Sequence, residues 1–465
     1  MAATRHDIDM TEGPLLGKII RFAIPVALAN LIQLAFDAAD MAVIGKWSIY
    51  GHKSLAAIGA TNTITGLLVI MISGIAGGAN VVAAQCYGAQ DKRGLSRVFH
   101  TGIALGMWSG LLMLVLGVTL ARPLLELTRT PDDIIDQACL YLRLRFLGVP
   151  FSMVYMFGCL LMRAVGDTRR PLWYLTFAGI VNLLLNMLFV IVFKWDVAGV
   201  AFATGVSKAL SAFLVLAALM KNRGACRVIL KQVRMYVPEL KRILYIGVPS
   251  GLQIACYSIS NVIIAAAVNT LGAVAIAGNT VSAIIEGLIH IVSFSMYHSV
   301  LAFGGQNYGA RKYDRAARAV LLCLACSVTF NLVAGWTAFL NGKPLLLLLT
   351  SDPAVIEAGM LRFKVSFTTY FIAGALDIIG GGLRSQGRSL QPMIVTILCV
   401  CVFRIIWIFT VFPRYRTLTS LYISYPISWT FVVMINGVAL YLLFRKLIRR
   451  GEERDRYGSP ARNKV

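Results

Sequence analysis

Charge is what this sequence has least of. Only 14% of its 465 residues are Asp, Glu, Lys or Arg, where a soluble domain carries about 25%. A mean hydropathy of +0.74 and a hydrophobic share of 58% complete the pattern, and an ordinary soluble protein is excluded. Alternating strands of about ten residues are missing as well, which excludes an outer-membrane barrel. No GxxxxGK[ST] phosphate loop occurs, so ATP is not the direct energy source. Neither a zinc motif nor a GxSxG elbow is present, and nothing points to an enzyme. The nine cysteines include Cys86, Cys159, Cys256, Cys323, Cys326, Cys399 and Cys401 in or beside apolar runs. The one CxxC, Cys323–Cys326, has no second CxxC or His cluster to go with it, so neither a metal site nor a disulfide framework is indicated. Cys323 and Cys326 share a helix face and read as packing. The N-terminus has no cleavable signal pattern, and the first apolar run is expected to serve as its own insertion signal.

What remains is a polytopic helical membrane protein. Twelve apolar segments are expected at roughly 18–45, 54–84, 95–121, 137–163, 171–193, 197–220, 242–270, 273–304, 316–340, 358–383, 390–412 and 418–446. Each is long enough to span a bilayer, which needs about 20 residues. Pro25, Pro150, Pro249 and the glycines at 380–382 fall inside spans and predict bends rather than breaks. The 44 basic residues exceed the 21 acids. They gather in alternate loops: QDKRGLSR after span 2, GDTRR after span 4, the segment 221–242, ARKYDRAAR after span 8, Arg384 and Arg388 after span 10, and the tail RKLIRRGEERDR. That is a positive-inside pattern, not a nucleic-acid surface, and it puts both termini in the cytoplasm.

An internal repeat organises the chain. Tyr87-Gly88-Ala89 recurs 221 residues later as Tyr308-Gly309-Ala310. At the same offset Thr65 aligns with Glu286, and Arg163, Asp167 and Pro171 align with Arg384, Arg388 and Pro392. Two six-helix lobes are expected: 1–220 (the first six spans) and 242–447 (the last six), joined by a basic cytoplasmic linker at 221–241 and followed by a basic tail at 448–465. An even number of spans makes the repeats parallel, with a pseudo-two-fold axis along the membrane normal and a substrate cavity between the halves.

Polar residues inside spans are the functional candidates. Span 1 carries Asn30, Gln33, Asp37 and Asp40. Span 5 carries Asn182 and Asn186 at i, i+4, on one face, and span 6 offers Thr204 and Ser207. A carboxylate near two amides and a hydroxyl suits a proton or a small cation such as Na⁺. Asp40 is therefore the expected coupling residue, with Asn182, Asn186, Thr204 and Asp37 around it. Asp37 either shares a proton with Asp40 or faces a watery cavity. Gln33, Asn261, Glu286, Asp377 and Arg404 are the candidates for a substrate cavity. Arg404, deep in VCVFRIIWIF, requires a partner, for which Asp377 or Glu286 would serve. His290 and His298 read as polar lining or packing. Asn182 and Asn186 have a purely structural alternative as interhelical glue.

Several stretches together resemble the MATE (multidrug and toxic compound extrusion) family, in its bacterial branch of Gram-positive multidrug pumps. They are TEGPLLGKIIRFAIPVALANLIQLAFDAADMAVIG, GANVVAAQCYGAQD, LMRAVGDTRRPLWYLTFAGIVNLLLNMLFVIVF, SDPAVIEAGMLRF and FRIIWIFTVFP, within a match over about 12–447. The resemblance implies a twelve-helix, two-lobed fold and export of cationic, amphipathic compounds in exchange for H⁺ or Na⁺, with no cofactor beyond the coupling ion. It further implies a monomer in the bacterial inner membrane whose partners are small molecules and lipid. By the same resemblance, the family's first-helix Asp falls on Asp40, its fifth-helix polar pair on Asn182 and Asn186, and its sixth-helix Thr on Thr204. The chain departs from the family in three places. Other branches have a seventh-helix Glu near Tyr257 and a tenth-helix Asp about one turn before Asp377, and Asp37 stands where Asn is usual. Coupling is thus expected in the first lobe. The rival reading is a lipid-linked precursor flippase of the same superfamily, which would line its cavity with basic residues. Counting four acids (Asp37, Asp40, Glu286, Asp377) against Arg404 favours a cationic substrate. A non-transporting scaffold would leave those acids unexplained.

Overall fold

The computed structural model describes residues 8–47, 52–128, 130–222 and 224–457. The first seven residues of the expected N-terminal lobe, and residues 458–465 of the expected tail, lie outside the described residues. The described chain is all helical, with no strand among those residues. Among the described residues eleven helices are long and apolar enough to cross a membrane, and a bent pair brings the number to twelve.

In the first half the order is α1 (Leu15–Trp47), α2 (His52–Gly88), α3 (Lys92–Thr119), the short α4 (Ala121–Leu127), α5 (Asp132–Ala164), α6 (Arg169–Asn186) and α7 (Asp196–Lys221). In the second half it is α8 (Val237–Asn269), α9 (Ala273–Gly309), α10 (Tyr313–Leu340), the short α11 (Gly342–Leu347), α12 (Pro353–Arg362), α13 (Tyr370–Ser385), α14 (Leu390–Thr396), α15 (Phe403–Thr410) and α16 (Leu418–Tyr457). A π-helical stretch, Met187–Val192, continues α6, and another, Ile397–Val402, joins α14 to α15.

The faces that point away from the helix bundles are apolar. On α3, Trp108, Leu111, Leu112 and Val115 are all about half exposed or more. Such a stripe is unfavourable against water and suits hydrocarbon.

The prolines behave as expected, since α1, α5 and α8 run without a break through Pro25, Pro150 and Pro249. The glycines at 380–382 are likewise inside an unbroken α13. A sharp bend falls elsewhere. Pro353–Phe367 and Tyr370–Ser385 meet at 47°, with neither proline nor glycine at the joint. There a π-helical turn, Phe363–Phe367, is followed by Thr368 and Thr369. Their hydroxyls donate to the carbonyls of Lys364 and Val365, each at 2.7 Å, diverting backbone acceptors from the helical ladder.

Two compact units emerge, and their limits differ from the expected 1–220, 221–241 and 242–447. Unit 1 holds residues 24–83 and 91–251; unit 2 holds 9–23, 84–90 and 252–465. The expected linker lies wholly within unit 1, and the change of unit falls inside α8. Glycine spacing accounts for this. Gly74 and Gly78 of α2 face Gly247 and Gly251 of α8 so closely that a Cβ on any of the four would strike the opposing backbone. Paired small-xxx-small motifs of this kind let helices touch backbone to backbone, which holds the first half of α8 in unit 1. The repeated Tyr-Gly-Ala has a similar origin within unit 2. Gly88 lies against the backbone of Gln306, and Gly309 against that of Gln85 and Ala89.

The start of α1 is fastened in unit 2 by backbone carbonyls. Asn307 Nδ2 and Arg315 Nε donate to Met10 O at 3.1 and 3.2 Å, and Lys312 Nζ donates to Thr11 O at 3.0 Å.

Candidate functional site

In unit 1, α1, α6 and α7 bring the first-lobe candidates together. Gly179 admits the Phe36 ring directly against α6, setting a close approach of the two helices. One turn and two turns further along α6, Asn182 and Asn186 are buried. Asn186 Nδ2 donates to Asp40 Oδ1 at 2.5 Å and also lies 3.3 Å from Asn182 Oδ1. Thr204 Oγ1, from α7, is 3.5 Å from Asp40 Oδ2 and accepts from Asn182 Nδ2 at 3.4 Å. The Asn186 carbonyl oxygen is buried with no hydrogen-bond partner. Such an acceptor is costly to leave unpaired and would be satisfied by a proton or cation held at Asp40. Ser207, by contrast, donates to Thr204 O and belongs to helix packing.

Asp37 is exposed, not enclosed with Asp40. It accepts from Gln33 Nε2 at 2.9 Å, and Gln33 Oε1 accepts from Lys208 Nζ at 3.2 Å. Gln33, Asp37, Asp40, Tyr141, Arg145, Thr204 and Lys208 line a cavity of about 470 Å³. Gln33 was expected at a substrate cavity; it lines this one as the relay between an ammonium and a carboxylate. Asn30 stays outside this network, its Nδ2 buried and unpaired.

Unit 2 corrects the expected pairing of Arg404. Neither Asp377 nor Glu286 is its partner. The fully buried guanidinium donates to Asn261 Oδ1 at 3.1 Å and Ser428 Oγ at 3.2 Å. It also lies over the rings of Tyr425 and Tyr257, at 4.1 and 5.4 Å. Neutral acceptors and two π-faces stand in for a carboxylate, while its Nη2 is buried without a hydrogen-bond partner. Glu286 pairs with Arg362 instead, at 2.5 Å, and Arg362 also holds Asn279. Asp377 Oδ2 lies 3.1 Å from His290 Nε2. His298 is buried edge-on to Phe294, as a packing residue.

These pairings undo the count of four acids against one base. Lys208, Arg145, Arg362 and Arg384 all line cavities, and the charge of Glu286 is already paired with that of Arg362. Lys208 and Arg362 were legible as charges inside spans, Lys208 standing one turn from Thr204. Arg384 was placed in a loop; it is buried at the end of α13. Asn261, Glu286, Arg362 and Tyr425 share a cavity of about 420 Å³. Glu286, His290, Asp377 and Arg384 share another of about 220 Å³.

Comparison with known proteins settles the lineage. The MatE family model matches residues 25–188 and again 249–410. The chain belongs to the MatE family. The double match repeats the internal duplication read from the sequence. The probable multidrug resistance protein YpnP of Bacillus subtilis is 26% identical over 85% of this chain and 88% of its own. An FAD transporter of Shewanella oneidensis is 24% identical over 95% of this chain and 97% of its own. A crystal structure of MATE in the bent conformation superposes with a TM-score of 0.88 at 19% identity, covering 95% of this chain and 98% of that one. The fold is thus that of a MATE transporter, multi-pass and all-α. These relatives are transporters, and the chain is not an enzyme.

Proposed function

We propose that this MatE protein is a secondary active exporter of amphipathic organic compounds, driven by antiport with H⁺ or Na⁺ at Asp40. One observation carries the reading. A carboxylate inside a membrane span meets an amide pair and a hydroxyl from two other helices, next to an unpaired amide oxygen and beside a cavity. Such a residue is expensive to keep in a membrane unless it is used. Asn182, Asn186 and Thr204 would complete the ion site. Asp37, exposed on the same cavity, favours a cationic group on the substrate there. Names such as that of the B. subtilis relative support multidrug export, while the FAD transporter cautions against fixing one substrate class by kinship. The basic loops support a bacterial cell membrane location with both termini in the cytoplasm, and the exporter is taken to act as a monomer.

The rival reading, a lipid-linked precursor flippase, draws on Arg145 and Lys208 in the unit 1 cavity. Proteoliposomes with ΔpH and ΔNa⁺ imposed separately decide between them. Export of an organic cation is expected to follow one of the two gradients and to stop in its absence. Indifference to both gradients, with transfer of a lipid-linked pyrophosphate, would overturn the antiporter.

A further inference from the structure

The smaller cavity of unit 2 contains a buried charge with neutral partners and the Tyr297 ring, 5.6 Å away, but no counter-ion among the described residues. Arg384 is 6% exposed. Its Nη1 donates to Tyr297 Oη at 2.7 Å and its Nη2 to Gln253 Oε1 at 2.5 Å, both neutral acceptors. Its Nε is buried with no hydrogen-bond partner. Among the described residues no carboxylate lies within ion-pair range of it. The acids on the same cavity are engaged elsewhere, Glu286 with Arg362 and Asp377 with His290. A guanidinium never gives up its charge, and burial without a counter-ion is a large cost.

Around this charge the wall is aromatic. Tyr257, Phe294, Tyr297, Tyr370 and Trp429 line the same cavity of about 220 Å³. An aromatic wall with a few convergent charged groups is the usual build of a small-molecule site, and of the charged groups here only Arg384 lacks an oppositely charged partner among the described residues. The planar fork of Arg suits a carboxylate or a phosphate oxygen pair.

We infer that this cavity binds an aromatic compound carrying an anionic group, with the ring among Tyr257, Tyr370 and Trp429 and the anion on Arg384. The inference rests on reading the chain as a transporter of organic compounds. It gives unit 2 a preference opposite in sign to that of Asp37 in unit 1. A substrate bearing both charges, or one bearing only the negative one, enters the range of the exporter.

The test is equilibrium binding, so it stands or falls apart from gradient-driven export. Calorimetry on the full chain in nanodiscs would compare three probes on one ring: indole-3-acetate, the neutral indole-3-acetamide and the cationic tryptamine. Indole-3-acetate is expected to bind about tenfold more tightly than the acetamide, the scale of a charged hydrogen bond. Arg384→Gln is expected to make acetate and acetamide equal, and Arg384→Lys to keep part of the difference. Tyr297→Phe, which frees one N–H of the guanidinium and keeps the ring, is expected to hold or enlarge the preference. The inference is overturned if wild type shows no acetate preference, if tryptamine binds best, or if the preference survives Arg384→Gln and so belongs to another site. Should Arg384→Gln fail to fold, the wild-type ratio and Tyr297→Phe decide, and loss of the preference in Tyr297→Phe counts against it.

Discussion

The first span of each half meets the fifth span of the same half through side chains, but with opposite chemistry. In unit 1, Asp40 of α1 accepts from Asn186 of α6. In unit 2, Asn261 of α8 accepts from Arg404 of α15. At these contacts the first span offers an acid in one half and an amide in the other, and the fifth span offers an amide and a guanidinium. Counted from Pro25 and Pro249, Ile264 stands where Asp40 does and Asn261 where Asp37 does, and Ile264 is buried in an apolar core with Phe367, Tyr370 and Trp429. The duplicated backbone has therefore been kept while its polarity has been reversed. A carboxylate can exchange a proton or a cation; a guanidinium holds its charge permanently. The exchangeable carboxylate at the first-to-fifth-span contact belongs to unit 1, and the fixed cation at the corresponding contact belongs to unit 2.

The largest expected effect breaks this comparison at its acidic end. Asp40→Asn keeps the size and hydrogen-bonding shape of the side chain but removes its charge. Export driven by an ion gradient in proteoliposomes is expected to fall to the level of protein-free liposomes, with thermal stability preserved. Asn261→Ala, at the contact between the first and fifth spans of unit 2, is expected to leave gradient coupling in force. Coupled export by Asp40→Asn at the wild-type rate would remove Asp40 from the coupling role.

A second test concerns stability at the basic end. Asn261→Leu strips the buried Arg404 of a charged hydrogen bond and is expected to cost about 2–3 kcal/mol. Adding Arg404→Met replaces the polar pair by apolar groups of similar size, and the double variant is expected to be more stable than Asn261→Leu alone. Thermal unfolding of the three proteins in one detergent measures this. Losses that simply add would show that Asn261 and Arg404 do not support each other.

How much of this could be read in advance follows from the kind of signal involved. Long apolar runs have few alternative meanings, so the spans were legible, and an exact 221-residue offset exposed the duplication. Asp40 with Asn182 and Asn186 was legible because a carboxylate and an i, i+4 amide pair stand out against apolar neighbours. The partner of Arg404 was not, because opposite charge was taken as the only adequate answer to a buried cation. Asn261, Ser428 and the faces of Tyr425 and Tyr257 meet that need from sequence positions that carry no charge to betray them. Lys208 and Arg362 reach their partners through long side chains, and linear spacing does not reveal where such chains end. The division of α8 between units depends on Gly74, Gly78, Gly247 and Gly251 meeting in space, and each of these pairs is unremarkable by itself.

The smallest expected effect sharpens the comparison by asking what the two halves still share. Asp91, ahead of α3 in unit 1, accepts from the backbone N–H of Gly94 at 2.9 Å. Asp352, ahead of α12 in unit 2, accepts from that of Ala354, also at 2.9 Å. Both are N-caps, each satisfying an otherwise orphaned donor of the first turn. Asp91→Ala and Asp352→Ala are each expected to cost about 1 kcal/mol, measured by thermal unfolding, with gradient-driven export unchanged. If the two losses match, each half uses an acid outside the membrane interior as a helix cap of the same worth, at helices that do not correspond in the repeat. If Asp352→Ala instead impairs export while Asp91→Ala does not, the asymmetry extends to the bent α12–α13 pair, and unit 2 takes part in transport through that joint.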